Sequence, residues 1–542
     1  MPSQLFSPIH LGNLELSNRI IVAPMCQYSA KDGSMNDWHL MHLGQYAVSG
    51  AGLVIVEASG VEAQGRITPG CVGLYSDENE AAMARVIKFF REFGNAKIGI
   101  QLAHAGRKAS SDLPWLGGTS LAGGTGTLMA YAGFARGLGD EPFLREPGSE
   151  QLTRNPRYVG LHLWTPLKGA AVHVNAYNFP AWGFLEKAAV ALLAGVPVIT
   201  KPATSTAIVA VRIMEIIAES KLLPEGALQL IAGRTGDLVD HLGAMDVLAF
   251  TGSSGTAGKL RGLPAHVERS MRINIEADSL NAAVLGADVE PGSETWSLAM
   301  REIVTDVRQK TGQKCTAIRR VFAPRDKVEA VCEALREELM AIKVGNPADS
   351  SVRMGPLVSK SQVEDVRQGI AALEAQATKV CGEANPTGLI GVEDGKGCFV
   401  TPHVFRVDDA GAAPLVHERE VFGPVVSVVA VDSPEQAAEL VALGDGGLVS
   451  SLYTDDRDVA RRTLLAMAPY HGRLTHGSKK VADHSLGPGM VMPAMVHGGP
   501  GRAGGGEELG GERGLRFYMQ RTAIQGYGPL LERFFPEASK GD

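Results

Sequence analysis

The sequence predicts an α/β protein in two parts, a partial βα-barrel of three units followed by a doubly wound parallel sheet. Three observations carry this reading. First, short β-branched runs, IIVAPM (20–25), GLVIVEA (52–58) and KIGIQLA (97–103), alternate with stretches of helical spacing at 39–49 and 80–93. Such runs mark strands buried on both faces, and their alternation with helices marks βα units. Second, LPEGALQLIAGRTGDLVDHL and MDVLAFTGSSGTAGKL each read as strand, glycine turn and helix, the pattern of an open sheet that binds ligands at its strand ends. Third, a glycine-rich stretch at 114–136 separates the two patterns.

Taken in order, the first two runs precede their helices and the third leads into the seam. GLHLWTPLKGAAVHVNAYNFP then resumes strand-like alternation, 182–195 is helical by pattern, and 197–201 is a short buried strand. An amphipathic helix at 294–309 delivers the chain to TGQKCTAIRR (311–320), and a strand and helix follow in AIRRVFAPRDKVEAVCEALREELM. A helix at 434–443 and a strand at 447–453 continue the pattern. Residues 487–511 are dense in glycine and proline, which predicts a flexible linker.

Bulk properties narrow the classes. With 542 residues, several domains are expected, and 45% hydrophobic residues suffice for their cores. A net charge of −7 argues against a general nucleic-acid binder and favours a small-molecule substrate. The six cysteines lack metal or disulfide spacing, so no metal site is expected and a reducing cytoplasm is. The longest apolar run, 188–199, is too short to span a bilayer, so no membrane association is expected.

Chemistry gathers at three places. Cys315 is the candidate nucleophile; a thiolate needs positive potential or a base nearby, and Lys314, Arg319 and Arg320 are candidates to supply it. Glu276, in NIEADSL at the end of a strand-like run, is a candidate general base. Asn178, in AYNFP, is a candidate oxyanion donor. Singly, each has a plainer reading: a buried small thiol, a helix-capping acid, a turn residue. Lys201, closing VITK, is placed to meet a phosphate or ribose hydroxyl, and Gly252 and Ser253, in a turn opening a helix, to hold a pyrophosphate through backbone N–H groups.

Asn178, Lys201, the turn LAFTGSSG, Glu276, Cys315 and Glu420 in HEREVFGPV occur in the order of the aldehyde dehydrogenase superfamily, which residues 123–526 resemble. HGGPGRAGGGEELGG and YMQRTAIQG look like the subgroup that oxidises CoA-thioester semialdehydes in aromatic-acid degradation. The resemblance implies a doubly wound nucleotide domain (122–285, without the family's usual amino-terminal segment), an α/β catalytic domain (286–485) and a glycine-rich segment with tail (486–542). It implies that Cys315 attacks an aldehyde, Asn178 holds the oxyanion and Glu276 activates water. Lys201, Thr204, Gly233, Gly252, Ser253, Glu420 and Phe422 would bind the nicotinamide cofactor. Many relatives that prefer NAD have a glutamate where this chain has Thr204, so NADP is expected to be tolerated or preferred. Ala277, Asp278 and Ser279 depart from the family's usual leucine and two glycines. Arg502 is expected to shape the thioester entrance, and a homodimer is a further expectation.

The motifs APMCQYSA, VIVEASGV and GIQLAHAGRKAS resemble the old yellow enzyme family, flavin-dependent alkene reductases on an eight-fold barrel. That likeness implies that Pro24, Met25, Cys26, Ala58 and Gln101 would line an FMN ring with Tyr28 beside the substrate. It stops near Leu121, after three of eight units, without the family's substrate-holding histidine pair, so FMN is the doubtful cofactor. Two alternatives stand beside aldehyde oxidation: FMN-dependent ene-reduction by residues 1–121, and an inactive fusion of two truncated enzymes.

Overall fold

The computed structural model describes residues 4–105 and 120–537. It divides into two compact units, Met1–Thr125 and Gly126–Asp542. The stretch GRKAS and the start of the seam, 114–119, lie outside the described residues.

In the first unit three parallel strands, Ile21–Val22, Leu53–Gly60 and Lys97–Ala103, pair in that order. Helices Asp37–Ala47 and Asp77–Phe93 cover one face, burying Leu43, Met83, Val86 and Phe90 against Val54 and Val56. Both helices start where side-chain caps satisfy free amides, Asn36 accepting from Trp38 N and Ser76 from Asn79 N. Strand residues Ile21, Ile100 and Leu102 are exposed, with Leu102 at 60%. These exposed residues lie on the two outer strands of this piece of barrel wall.

The second unit holds two larger sheets. Five parallel strands run in the order Leu228–Leu230, Val198–Lys201, Ala171–Val174, Val247–Thr251, Arg272–Glu276. The chain winds outward from the central strand in both directions, so the switch point lies between Ala171–Val174 and Val247–Thr251. Ligands of doubly wound sheets lodge at the carboxyl end of such a point. One face buries Ala171, Val198 and Val247 under the helix Trp182–Leu193. The other buries Val172 and Leu248.

Seven strands form the second sheet, in the order Thr378–Cys381, His403–Val407, Val425–Val431, Arg320–Pro324, Ala282–Leu285, Gly447–Tyr453, His471–Gly477. All neighbours are parallel except the first pair. Alternate residues feed two cores: Val284, Phe322, Val429 and Leu452 on one face, Leu285, Val321, Val428 and Tyr453 on the other. That two-sided burial is why these segments read as continuous apolar runs.

Three expectations are corrected, and the seam, for which no element was expected, holds one. The stretch through GLHLWTP to AVHVNAY is two strands in different sheets, Tyr158–Pro166 and Ala171–Val174. The helix expected after Leu228–Leu230 is a single 3-10 turn, Leu238–His241. Most of the glycine-rich seam forms the helix Ser120–Leu138, whose Tyr131 is buried against Phe184 and its neighbours. The expected linker at 487–511 is packed: Val496–Gly498 pairs with Glu507–Leu509, and His497, Ala503 and Leu509 are buried. Glycine makes that possible by letting backbone touch backbone. The carbonyls of Ala503 and Ile275 accept from Ala277 N and Gly506 N, which lays this segment along the strand that ends in Glu276.

Gly504 has φ +109°, and a Cβ there would run into the Ile275 carbonyl. Gly504→Ala is therefore expected to cost about 1–3 kcal/mol from overpacking and an ill-suited backbone, seen as a lowered melting temperature.

Candidate active site

Three peptide segments converge behind Cys315. The turn before it carries three successive left-handed residues, Lys310, Thr311 and Gly312, at φ +52°, +56° and +68°. Two of the three are not glycine, and strain of this kind persists only where surroundings over-determine it. Here Gly312 lies so close to Gly423 that any Cβ would meet its carbonyl, and Thr311 Oγ1 donates to Gly355 O (2.9 Å). Asn281 Nδ2 donates to the carbonyls of Cys315 (2.7 Å) and Ala317 (2.9 Å).

The cations expected to bias Cys315 are engaged elsewhere, which is a correction. Lys314 Nζ bonds Asp306 (2.5 Å) and Gln309 (2.9 Å). Arg320 is buried, with donors on the carbonyls of Leu280, Leu440 and Val441. Arg319 ties the loop to Glu420 (3.4 Å), to Gly423 O (2.8 Å) and to Gly312 O (2.9 Å), and lies 5.3 Å from the Phe422 ring centroid. The cations whose fields interact with the Cys315 sulfur are Lys310 and Arg473. Burial and the neighbouring Glu276 carboxylate push the Cys315 thiol well above its ordinary range.

Glu276 ends its strand almost fully buried. Its carboxylate, the Cys315 sulfur and a ring nitrogen of His497 lie within 4.8 Å of one another. Oε2 is 3.3 Å from His497 Nε2 and accepts a long bond from Thr251 Oγ1 (3.4 Å), while Oε1 has no hydrogen bond. Burial pushes this carboxyl up, but His497 and Lys187 outweigh it and hold Glu276 low, at about 2.

Behind Glu276, Lys187 Nζ bridges Glu186 (3.1 Å) and Glu508 (3.0 Å), all three buried. Both carboxylates lie within 4.8 Å of that of Glu276. Burial raises Glu186 well above the usual carboxylate range. His497, Glu508, Glu186 and Lys187 escaped the sequence reading. The signal was there for the last two, a Glu-Lys pair inside the otherwise apolar WGFLEKAAVALL.

Asn178 is joined to the nucleophile turn through its main chain, with Lys310 Nζ donating to its carbonyl (2.5 Å) and lying 4.1 Å from the Phe179 ring centroid. No bond of its side-chain amide to Cys315 is recorded among the described residues. Glu420 accepts from Ser279 N (3.1 Å), and burial raises its carboxyl to about 7 against the opposing field of Arg319. Phe422 meets Tyr177 edge to face. Arg502 donates to the Glu418 carbonyl, with Nε and Nη1 buried, so it braces the segment before Glu420 rather than standing free at an entrance.

The expected cofactor residues gather at the carboxyl end of the five-stranded sheet. Lys201 closes its strand, and Thr204 Oγ1 donates to Gly233 O (3.4 Å). Gly252 N donates to Glu276 O (3.1 Å), and Ser253 caps the helix Ser254–Arg261. This ammonium, hydroxyl and helix terminus suit the ribose and phosphates of a dinucleotide. Asp278 already occupies part of that terminus, accepting from Ser254 N (3.1 Å) and Ser254 Oγ (2.6 Å).

The flavin expectation fits poorly. Met25 and Gln101 are exposed, Pro24 and Cys26 are half-buried, Tyr28 is left-handed (φ +52°), and only Ala58 is buried. The cavity beside Met25, between Val22, His39 and Glu57, measures about 10 Å³, room for one water rather than a ring system.

The aldehyde dehydrogenase family model matches residues 120–524, and the NADH:flavin oxidoreductase / NADH oxidase family model matches 4–117. The chain is 38% identical to a 3,4-dehydroadipyl-CoA semialdehyde dehydrogenase of Aromatoleum evansii over 463 residues, 84% of this chain and 88% of that protein. Over 114 residues it is 49% identical to an NADH:flavin oxidoreductase of Gibberella zeae, spanning 21% of this chain and 27% of that one. Its fold is similar to that of an NAD-dependent aldehyde dehydrogenase from Sinorhizobium meliloti, with TM-score 0.65, 22% identity and 75% of each chain covered.

An anion beside a thiol raises the thiol's pKa, so removing it leaves more thiolate at a given pH. Glu276→Gln is therefore expected to speed alkylation of Cys315 by iodoacetamide at pH 8, and Lys310→Met to slow it. The readout is mass-spectrometric labelling over time, and slower labelling of the glutamine variant would show that Glu276 draws the thiol proton instead.

Proposed function

Because the chain belongs to the aldehyde dehydrogenase family, we propose that it oxidises the ω-semialdehyde of an acyl-CoA to the acid, with NADP accepted at least as well as NAD. The observation that carries the reading is the meeting of the Cys315 sulfur and the Glu276 carboxylate within 4.8 Å, at the carboxyl end of a doubly wound sheet and one strand from its switch point. The identity to a CoA-semialdehyde dehydrogenase supports the substrate class.

The Cys315 sulfur, as thiolate, bonds to the aldehyde carbon, favoured by the fields of Lys310 and Arg473. The carbonyl becomes an oxyanion, for which the Asn178 amide is the proposed donor. A bound nicotinamide supplies the hydride acceptor. Once the hydride has left, a thioester remains on Cys315, and Glu276, held as carboxylate, takes a proton from the water that attacks it. The acid departs and the sulfur is freed. The Glu186–Lys187–Glu508 cluster lies within reach of Glu276 to receive that proton.

Glu420 and Phe422 are proposed to meet the nicotinamide ribose and ring, which requires Glu420 to loosen from Ser279 N or Arg319. Lys201, Thr204, Gly233, Gly252 and Ser253 are proposed to hold the rest of the cofactor. Thr204 is exposed and uncharged where a carboxylate would repel a 2′-phosphate. Cytoplasmic location and a homodimer belong to the same proposal. For the dimer, Met519–Tyr527 pairs with Tyr158–Pro166 on one side only and leaves a nine-residue sheet edge.

A pre-steady-state burst of reduced cofactor on mixing with adipyl-CoA semialdehyde tests the reading. The burst is expected from this chain and not from Cys315→Ala, and equal traces would overturn it. Thr204→Glu is expected to weaken NADP about tenfold or more while leaving NAD within a few-fold, since it places like charges a few ångströms apart. Fluorescence titration of each dinucleotide is the measurement.

A further inference from the structure

Cys315, Glu276 and His497 offer a thiol, a carboxylate and an imidazole within 4.8 Å of one another. Those are the three donor types zinc takes, and three protein donors with one open position are a common arrangement around it. Tetrahedral bonds of about 2.0–2.3 Å place ligand atoms roughly 3.3–3.7 Å apart. His497 Nε2 and Glu276 Oε2 already stand 3.3 Å apart, and the sulfur has at most about an ångström to close.

Two of the three side chains also keep buried atoms without a hydrogen bond. His497 is 1% exposed, yet neither ring nitrogen has a well-aligned hydrogen bond, and Glu276 Oε1 has none. Buried polar atoms are normally partnered, and an orphaned imidazole facing a carboxylate and a thiol is costly unless something else enters. The neighbouring group of Glu186, Glu276 and Glu508 is different, because the Lys187 ammonium already bridges two of its carboxylates. Charge balances as well. A thiolate and a carboxylate neutralise a divalent ion while histidine binds uncharged, and the thiol proton leaves to solvent as the metal–sulfur bond forms. Lys187, Lys310 and Arg473 oppose a cation here, and the carboxyls of Glu186 and Glu420 face the sulfur with the opposite sign.

We propose that Cys315, Glu276 and His497 form a reversible site for a zinc-class divalent cation that occupies the nucleophile in competition with aldehyde. The competition rests on the function proposed above; the binding does not.

The two halves separate experimentally. Cobalt(II) added to the full chain is expected to bind at one equivalent and give a thiolate-to-cobalt charge-transfer band. The band should be lost in Cys315→Ser and kept in Cys398→Ser. His497→Asn and Glu276→Gln are each expected to weaken cobalt binding by about 10–100-fold, with circular dichroism and melting confirming that every variant is folded. Cobalt bound without the band, or bound as tightly by both variants at 497 and 276, would overturn the site. In the holoenzyme, buffered zinc is expected to inhibit competitively with the semialdehyde, with EDTA restoring the rate. Inhibition that is not competitive would overturn the second half and leave the first standing, and a chain that turns over no aldehyde but shows the band would count against the proposed reaction alone.

Discussion

Burial of the Glu276 carboxylate is the constraint on which the rest of the site depends. A charge removed from water must be met by other charges or by hydrogen bonds. Glu276 lacks good hydrogen bonds and is surrounded instead by His497, Lys187 and the Cys315 thiol. Lys187 is shared with Glu186 and Glu508, so protons and positive charges at this strand end are fewer than the groups that could hold them. A group in such a setting is sensitive to small changes nearby, which suits a residue that must pick up a proton and release it.

The same burial explains the thiol. Burial and the nearby Glu276 carboxylate raise the Cys315 thiol above its ordinary range, so a thiolate there depends on positive charge brought near it. The basic residues in its own sequence do not serve. Arg319 clasps Gly312, Gly423 and Glu420, and Arg320 is consumed by core carbonyls. Their task is mechanical. Arg319 locks a turn with three left-handed residues against the loop bearing Glu420 and Phe422, and Arg320 ties its strand into the core.

Most of the fold was legible because its strands are buried on both faces and its helices keep their spacing. The strand Gly447–Tyr453 and the helix Glu294–Arg308 lie where periodicity puts them. That Cys315 and Glu276 come together was legible through motif order. His497, Glu508 and the packing of their segment were not, because composition alone makes ten glycines among residues 487–511 look unfolded. What composition hides is close approach: Gly498, Gly499, Gly504 and Gly506 each abut a backbone or side-chain atom that a Cβ would strike. Likewise, basic residues flanking a cysteine say nothing about which way their side chains turn.

Asp278 shows how one departure from a family pattern acts through physics. Where two glycines would leave the turn after Glu276 uncharged, this chain puts a carboxylate on the first amide of the helix Ser254–Arg261. An anion at a helix start is stabilising, by about 0.3–1 kcal/mol, so Asp278 braces this terminus. The same carboxylate helps raise Glu420. One side chain therefore acts on both places, as an acceptor at the start of that helix and as a like charge that raises the Glu420 carboxyl.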